Sequence, residues 1–485
     1  MNPKSRKALL HVSDKTGLME LAHELIGLNF EILADGETAQ FLRQSSIPLS
    51  EIQEIGGILA DRPIELVVVN LRRIPEFSVE KPVTEDEILN SMDLEGIALL
   101  RFAAGDYPYV TILCDPEDYG WFVQEMKQSK DLTLKQRRRL ASKAFTHTSF
   151  HDSALSQLMG EGEKGFFKEL VLGLRRIQIL QYGENPHQKA ALYQLTGGRE
   201  WGLASHAKLL HGKPLSFNNY LDLESAWELA IEFEEPACAI IKHANPCGAA
   251  ASGKLPEAFR LALKGDAPSA NGGVVGFNRD VDEKTAEEIY RHFIECVIAP
   301  GFSQKALDGL KKKKDLRLIA LPSQLWSAHE MDYRPISGGL LLQEKDAANL
   351  PESIRIVTRR HPAESEWKAL RFAWKVAKHA RSDAVILAMG TQVLGIGSGQ
   401  AVRSDALRVA VAKISDRHPI LMPHTALVAA SDGFFSFRDC VDEAHRAGIS
   451  AIIQPGGSVR DSEAIEACDH YGMAMVFTGL RHFKH

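Results

Sequence analysis

The chain has only six cysteines in 485 residues, and they are scattered: Cys114, Cys238, Cys247, Cys296, Cys440 and Cys468. Without a C-x-x-C pair there is no sign of a zinc cluster or a disulfide framework, so reduced thiols in the cytoplasm are expected. No run of about 18 apolar residues occurs, so no membrane-spanning helix is expected. Met1–Leu10 is basic but no apolar stretch follows it, unlike a secretory signal. Excess positive charge is missing too. A net charge of −6 argues against a broad nucleic-acid surface, while leaving room for a local basic pocket. No Walker A motif is found, and Gly395–Gln400 reads G-x-G-x-G rather than the dinucleotide pattern G-x-G-x-x-G.

What is present is globular composition, 45% hydrophobic and 25% charged, which argues against disorder. The length predicts about two to four domains. Residues 7–125 alternate apolar runs with helical patterns. Lys7–Val12, Leu66–Asn70 and Tyr109–Cys114 read as buried strands, and helices follow Lys15 and Asp118. This predicts an α/β domain with a mainly parallel sheet. Gln128–Leu158 reads as helical. Its basic run Lys135–Arg139 is either a phosphate grip or a solvated helix face. Gly160–Lys168 reads as a loop, which places a domain boundary between 1–160 and 161–485.

The α/β alternation then resumes, with strands expected at Ala237–Lys242, Ala384–Ala388 and Ser450–Gln454. Ala237–Ala251 and Ala384–Ala406 share a plan of strand, Gly-rich loop and helix. That suggests two similar subdomains, about 161–365 and 366–485. Lys311–Lys314 reads as a solvated loop or helix end.

Several stretches carry chemistry. Lys242 and His243 stand at the expected C-terminal end of a strand, followed by Asn245-Pro246-Cys247-Gly248; ligands of α/β sheets bind at such ends. Imidazole can relay a proton near neutral pH and an ammonium can stabilise an oxyanion; the alternative is a backbone-satisfied histidine beside a solvated lysine. Tyr182-Gly183-Glu184-Asn185-Pro186-His187-Gln188 is either a polar clamp or a self-satisfied turn. Gly395-Ile396-Gly397-Ser398-Gly399-Gln400 has glycines that let backbone N–H groups approach an anion, and Arg403 follows it. Phe434, Phe435 and Phe437 form either an aromatic wall or core. The last residues, Arg481–His485, either fray or close a site.

Taken in order, these motifs resemble one family. Tyr182–Gln188, Leu215-Ser216-Phe217-Asn218-Asn219 with Asp222, Lys242–Gly248, Gly395–Asp405, Ser431–Asp439, Gln454-Pro455-Gly456-Gly457-Ser458 and Arg481–His485 are similar to AICAR transformylase/IMP cyclohydrolase over roughly residues 175–485. The resemblance implies formyl transfer from 10-formyltetrahydrofolate to the 5-amino group of AICAR, without a metal. It implies catalytic roles for Lys242 and His243. It implies substrate contacts from Tyr182, Gly183, Asn219, Gly272, Asp383, Arg403, Phe434 and Arg481, and folate contacts from Phe434, Phe435, Asp439, Pro455 and Gly456. The implied fold is an N-terminal methylglyoxal-synthase-like domain followed by two cytidine-deaminase-like subdomains. The implied assembly is a homodimer.

The chain departs from the family pattern in places. Gln181 stands where the family has Arg, Asn271 replaces an aromatic, and Arg381-Ser382-Asp383 replaces Lys-Ser-Asn. An amide that donates and accepts thereby becomes a carboxyl that, when ionised, only accepts. The N-terminal part shares Val12–Gly17 and Lys143–Thr148 with the family's cyclohydrolase domain. It lacks that domain's Asp-Gly-Arg-Val-Lys-Thr-Leu-His-Pro segment before Gly56–Leu59. The phosphate loop reads Ala34-Asp35-Gly36-Glu37-Thr38, whose two carboxylates repel a phosphate. Loss of cyclisation is therefore expected. Two alternatives stay open: a fully bifunctional enzyme with a rebuilt site, and a catalytically impaired paralogue acting as a binding subunit.

Overall fold

A computed structural model describes residues 6–52, 64–75, 83–160, 166–195, 202–322, 331–352, 354–417, 426–435 and 437–485. The Gly56–Leu59 segment lies outside the described residues. Contacts divide the chain into two units, Met1–Arg176 with Tyr193–Glu200, and Ile177–Leu192 with Trp201–His485.

The first unit is built on a five-stranded sheet in the order Ser50–Glu51, Phe30–Ala34, Arg6–Val12, Leu66–Asn70, Thr111–Leu113. Every pairing is parallel, as the alternation of strands and helices predicts. Leu66–Asn70 is buried along its whole length, because β-branched side chains suit a sheet covered on both faces. The expected strand at 109–114 shortens to Thr111–Leu113, leaving Tyr109 exposed. The helical stretch is Leu134–Met159, opened by a capping box in which Thr133 and Gln136 satisfy each other's backbone N–H. Within its basic run, Arg137 donates to Pro108 O and Arg139 lies over the Trp121 ring, while Lys135 and Arg138 face solvent.

The second unit holds a 12-stranded mixed sheet. From its centre, one half runs Asn245–Ala251, Ala237–Lys242, Gly273–Phe277, Ile294–Ala299, Arg317–Ala320, Lys208–His211. The other runs Gln392–Gly397, Val385–Met389, Leu427–Ser431, Ala451–Gln454, Ala474–Phe477, Arg355–Ile356. Each half is a hairpin followed by antiparallel, parallel, parallel and antiparallel pairings, so the connectivity of one repeats that of the other. Helices Phe217–Ile231 and Glu364–His379 cover one face with a single continuous core. The opposite face carries a separate core in each half.

The expected Gly-rich loops are second strands of these hairpins, a correction with a steric cause. A Cβ on Gly248 would lie 2.2 Å from Ala262 O, and one on Gly397 would lie 1.8 Å from Ala406 O. The glycines admit the following helix against the strand. Gly395 and Gly397 therefore serve packing rather than an anion cradle. All six cysteines are buried and free. Among the described residues, no helix is long and apolar enough to cross a membrane.

Candidate active site

The halves of the large sheet meet through antiparallel strands, Asn245–Ala251 against Gln392–Gly397. This brings the end of Ala237–Lys242 beside the end of Gln392–Gly397 and the start of Val385–Met389. Further pairings add the start of Gly273–Phe277 and the ends of Leu427–Ser431, Ala451–Gln454 and Ala474–Phe477 to the same edge. Lys242, His243, Gly272, Asp383, Phe434 and Gly456 are thus gathered along one edge of one sheet.

Lys242 and Asn245 pair across a two-residue turn, His243-Ala244, with φ of 57° and 55°. A tight hairpin needs this left-handed backbone, usually supplied by Asn-Gly; His and Ala adopt it at a cost, as at many functional sites. Asp222, one helical turn past Asn219, holds the turn by accepting the Ala244 N–H at 2.5 Å. Burial raises the Asp222 pKa, and the Ala244 N–H and the His243 and Lys242 charges offset part of that rise. The Lys242 ammonium donates to Asn271 O (3.1 Å) and Gly272 O (2.9 Å), which leaves one N–H uncommitted among the described residues. Gly272 has a φ of 69°, and a Cβ there would stand 3.3 Å from Lys242 Nζ. His243 is exposed.

Asn245 carries the turn across to the other half, donating to Ser398 Oγ (2.5 Å) and accepting from Arg381 N (3.0 Å). Beyond it lies a charged knot. Arg403 Nη2 sits 2.5 Å from Asp383 Oδ1 and 3.0 Å from Asp432 Oδ1, and Nη1 donates to Phe434 O at 2.8 Å. Arg403 Nε is buried without a partner among the described residues. Fully buried Asp432 also accepts Ser382 Oγ–H (2.5 Å) and Ala384 N–H (3.0 Å). Burial raises the Asp383 pKa; Arg403 opposes the rise and Asp432 reinforces it. A Cβ on Gly433 would lie 2.5 Å from Arg403 Nη2 and 2.8 Å from the Phe483 ring, so these side chains would have to shift to admit one. The C-terminal tail is docked here rather than frayed. His482 N donates to Asp432 O, and Lys484 exchanges two hydrogen bonds with Ser382.

The other expected site residues divide. Phe434 is half-buried at the edge, but Phe435 is fully buried in the core, with its N–H bonded to Gln454 Oε1 at 2.6 Å. Phe435 has no face left for folate, which corrects that expectation. Asn219 is committed to the cap of helix Phe217–Ile231 and to Glu295 (2.9 Å). Tyr182 and Gly183 belong to a turn closed by Gly183 N–H to Gln188 O and tied to that helix by Asn218 through Glu184 O. Asp439 is exposed in the first turn of helix Arg438–Arg446. Pro455 is buried and Gly456 has a φ of 71°, where a Cβ would lie 2.4 Å from the Phe477 ring. Arg481 is exposed, with its guanidinium 4.2 Å from the centre of the Phe483 ring. Sequence reasoning gave no role to Asp222, Ser382, Asn245 or Asp432. The i, i+3 spacing of Asn219 and Asp222 at a helix start was the available signal for the first.

In the first unit, Asp35 precedes helix Gly36–Gln44 and pairs with His11 Nδ1 at 2.9 Å, while Asp93 lies 3.5 Å from Nε2. Burial alone would lower the His11 pKa, but hydrogen bonds and charge from both aspartates push it up to about 9. His11, Asp35 and Glu95 come close enough to surround a cation. Glu95 is exposed there, and both ring nitrogens of His11 already face aspartates.

Ionisable side chains converging at the strand ends of a large α/β sheet mark a small-molecule enzyme. Residues 103–413 match the model of the AICARFT/IMPCHase bienzyme family, and the chain belongs to that family. It is 42% identical to the bifunctional purine biosynthesis protein PurH of Persephonella marina, across 99% of this chain and all of that one. The PurH of Aquifex aeolicus is also 42% identical, over the same shares. The crystal structure of ForH aligns with 32% of this chain and 97% of its own at 26% identity, with a TM-score of 0.29.

Proposed function

We propose that this protein transfers the formyl group of 10-formyltetrahydrofolate to the 5-amino group of AICAR in purine (IMP) biosynthesis, and that it no longer cyclises the product. The observation carrying the first part is the Lys242–His243 turn. It places an ammonium with a spare N–H beside an exposed imidazole, at the edge where the family motifs converge.

The aminoimidazole nitrogen is a poor nucleophile because its lone pair is delocalised into the ring, so positioning is a large part of the task. As that nitrogen bonds to the formyl carbon, His243 accepts its proton and the third N–H of Lys242 meets the developing oxyanion. Collapse of the adduct breaks the bond from the formyl carbon to N10, and His243 returns the proton to the tetrahydrofolate leaving group. Asp383, Gly272 and Phe434 line the reacting end, with Arg403 behind Asp383. Tyr182, Gly183 and Arg481 reach the nucleotide, and Pro455, Gly456 and Asp439 the folate. Asn219 contributes by holding the helix that carries Asp222. The chemistry needs no metal.

The resemblance further supports a methylglyoxal-synthase-like domain at 1–160, a pair of cytidine-deaminase-like subdomains at about 161–365 and 366–485, a cytoplasmic homodimer, and a site completed between subunits. Loss of cyclisation is supported by Asp35, whose carboxylate stands at the helix start where a phosphate would bind and is held there by His11. The alignment with the Persephonella protein spans 519 positions against 485 residues here, so that relative has segments this chain lacks.

The test is release of tetrahydrofolate from 10-formyltetrahydrofolate and AICAR, with formyl-AICAR supplied separately. Turnover of the first pair, lost in His243→Ala, is expected. Folate binding without turnover would make the protein a binding subunit, and cyclisation of formyl-AICAR at a comparable rate would refute the loss.

A further inference from the structure

This inference rests on the formyl-transfer reading and deepens one part of its site. Two carboxyl groups, those of Asp383 and Asp432, address the same guanidinium nitrogen of Arg403. They are not equivalent. Asp432 is fully buried and is solvated by three donors: Arg403, the Ser382 hydroxyl and the Ala384 N–H. The Asp383 carboxyl, 23% exposed at the rim, has Arg403 alone among the described residues. When like charges share one cation, a proton settles on the partner with fewer donors.

The other half of the sheet shows what this scaffold does without the second charge. There Asn278 takes the place of Asp432. Its Oδ1 accepts Ala237 N–H at 2.8 Å, as Asp432 accepts Ala384 N–H, and its amide donates to Phe233 O and Glu235 O. A neutral side chain satisfies that position. The charge of Asp432 is an addition, and its counter-ion is Arg403.

We propose that Asp383 works as a neutral carboxylic acid, offering an O–H to the bound substrates where the family pattern has an amide N–H, and that Asp432 is the positioning residue that claims the charge of Arg403. The groups facing Asp383 are Arg403 from helix Arg403–Arg417, Asp432 from the end of Leu427–Ser431 and His485 from the tail. The Lys484 ammonium reaches Glu228 instead, at 3.5 Å. Burial and Asp432 favour the protonated form; Arg403 and His485 oppose it. A carboxyl group whose pKa is raised loses its proton as pH rises, so the donor, and with it the rate, is lost on the alkaline side.

The experiment is the pH profile of kcat/KM for 10-formyltetrahydrofolate and AICAR in the full chain, Asp383→Asn and Asp432→Asn. An amide keeps its donor at all pH, so Asp383→Asn is expected to exceed the parent by ~10-fold at the alkaline end. Asp432→Asn, by ceding Arg403 to Asp383, is expected to move the alkaline fall to lower pH. A loss of ~100-fold in Asp383→Asn at every pH would overturn the proposal and make Asp383 a working carboxylate. Infrared difference spectra between the parent and Asp383→Asn read the carboxylic-acid carbonyl without turnover. A band missing at pH values below the alkaline fall overturns the proposal. A band in a protein that transfers no formyl group keeps it and removes the formyl-transfer reading instead.

Discussion

The two ends of the large sheet share a scaffold and differ in chemistry. Because its halves meet through antiparallel strands, equivalent strand ends face opposite ways. The turn His243-Ala244 lies at one edge and its counterpart, Gly390-Thr391, at the other. At the first edge the buried hub is Asp432, which draws in Arg403 and Ser382. At the second it is Asn278, closed among the described residues on main-chain groups. The turn of the first carries an imidazole and follows a lysine. That of the second carries a hydroxyl spent on Ala251 O at 2.7 Å. A duplicated connectivity supplies two candidate edges, and a few ionisable residues make one of them a site.

The largest expected effect separates the two turns. Lys242→Ala should lower kcat/KM by ~10³-fold, as removal of an oxyanion donor does, while Thr391→Ala should stay within about two-fold. Equal losses would end the distinction between the edges. Exchanging the hubs sharpens it. In urea unfolding, Asp432→Asn should cost about 3 kcal/mol by leaving Arg403 short of a buried partner, and Asn278→Asp about as much by setting a carboxylate against two carbonyls. A negligible cost for either would mean that the hubs are interchangeable.

A contrast comes from the first unit, where the ion pair is local. His11 is raised from 6.5 to about 9, so its contribution is present below pH 6.5 and lost as pH rises through 9. Unfolding at both pH values should reveal up to about 3 kcal/mol of such loss, absent from His11→Ala. The smallest effect tests the shared scaffold. Gly248→Ala and Gly397→Ala should each destabilise by about 2 kcal/mol, since the same helix-on-strand approach recurs in both halves.

Much of this was legible in the chain. Leu66–Asn70 and Ala237–Lys242 are strands residue for residue, because unbroken apolar runs ending in polar residues have few other ways to be buried. The glycine strands were not legible, since glycine reads as a loop until the helix that needs its missing side chain is in place. Of two adjacent phenylalanines, Phe434 reaches the edge and Phe435 the core. Asp432 looked like one more polar residue in a motif, because its donors come from positions 382, 384 and 403.

The sequence by itself determined the family, the order of motifs, the alternating elements and the chemical types available: an ammonium, an imidazole, a guanidinium and their acids. Only the tertiary structure decided which of them meet. Strand direction selects the edge, and two carboxyls compete for Arg403 because segments far apart in the chain end at the same place.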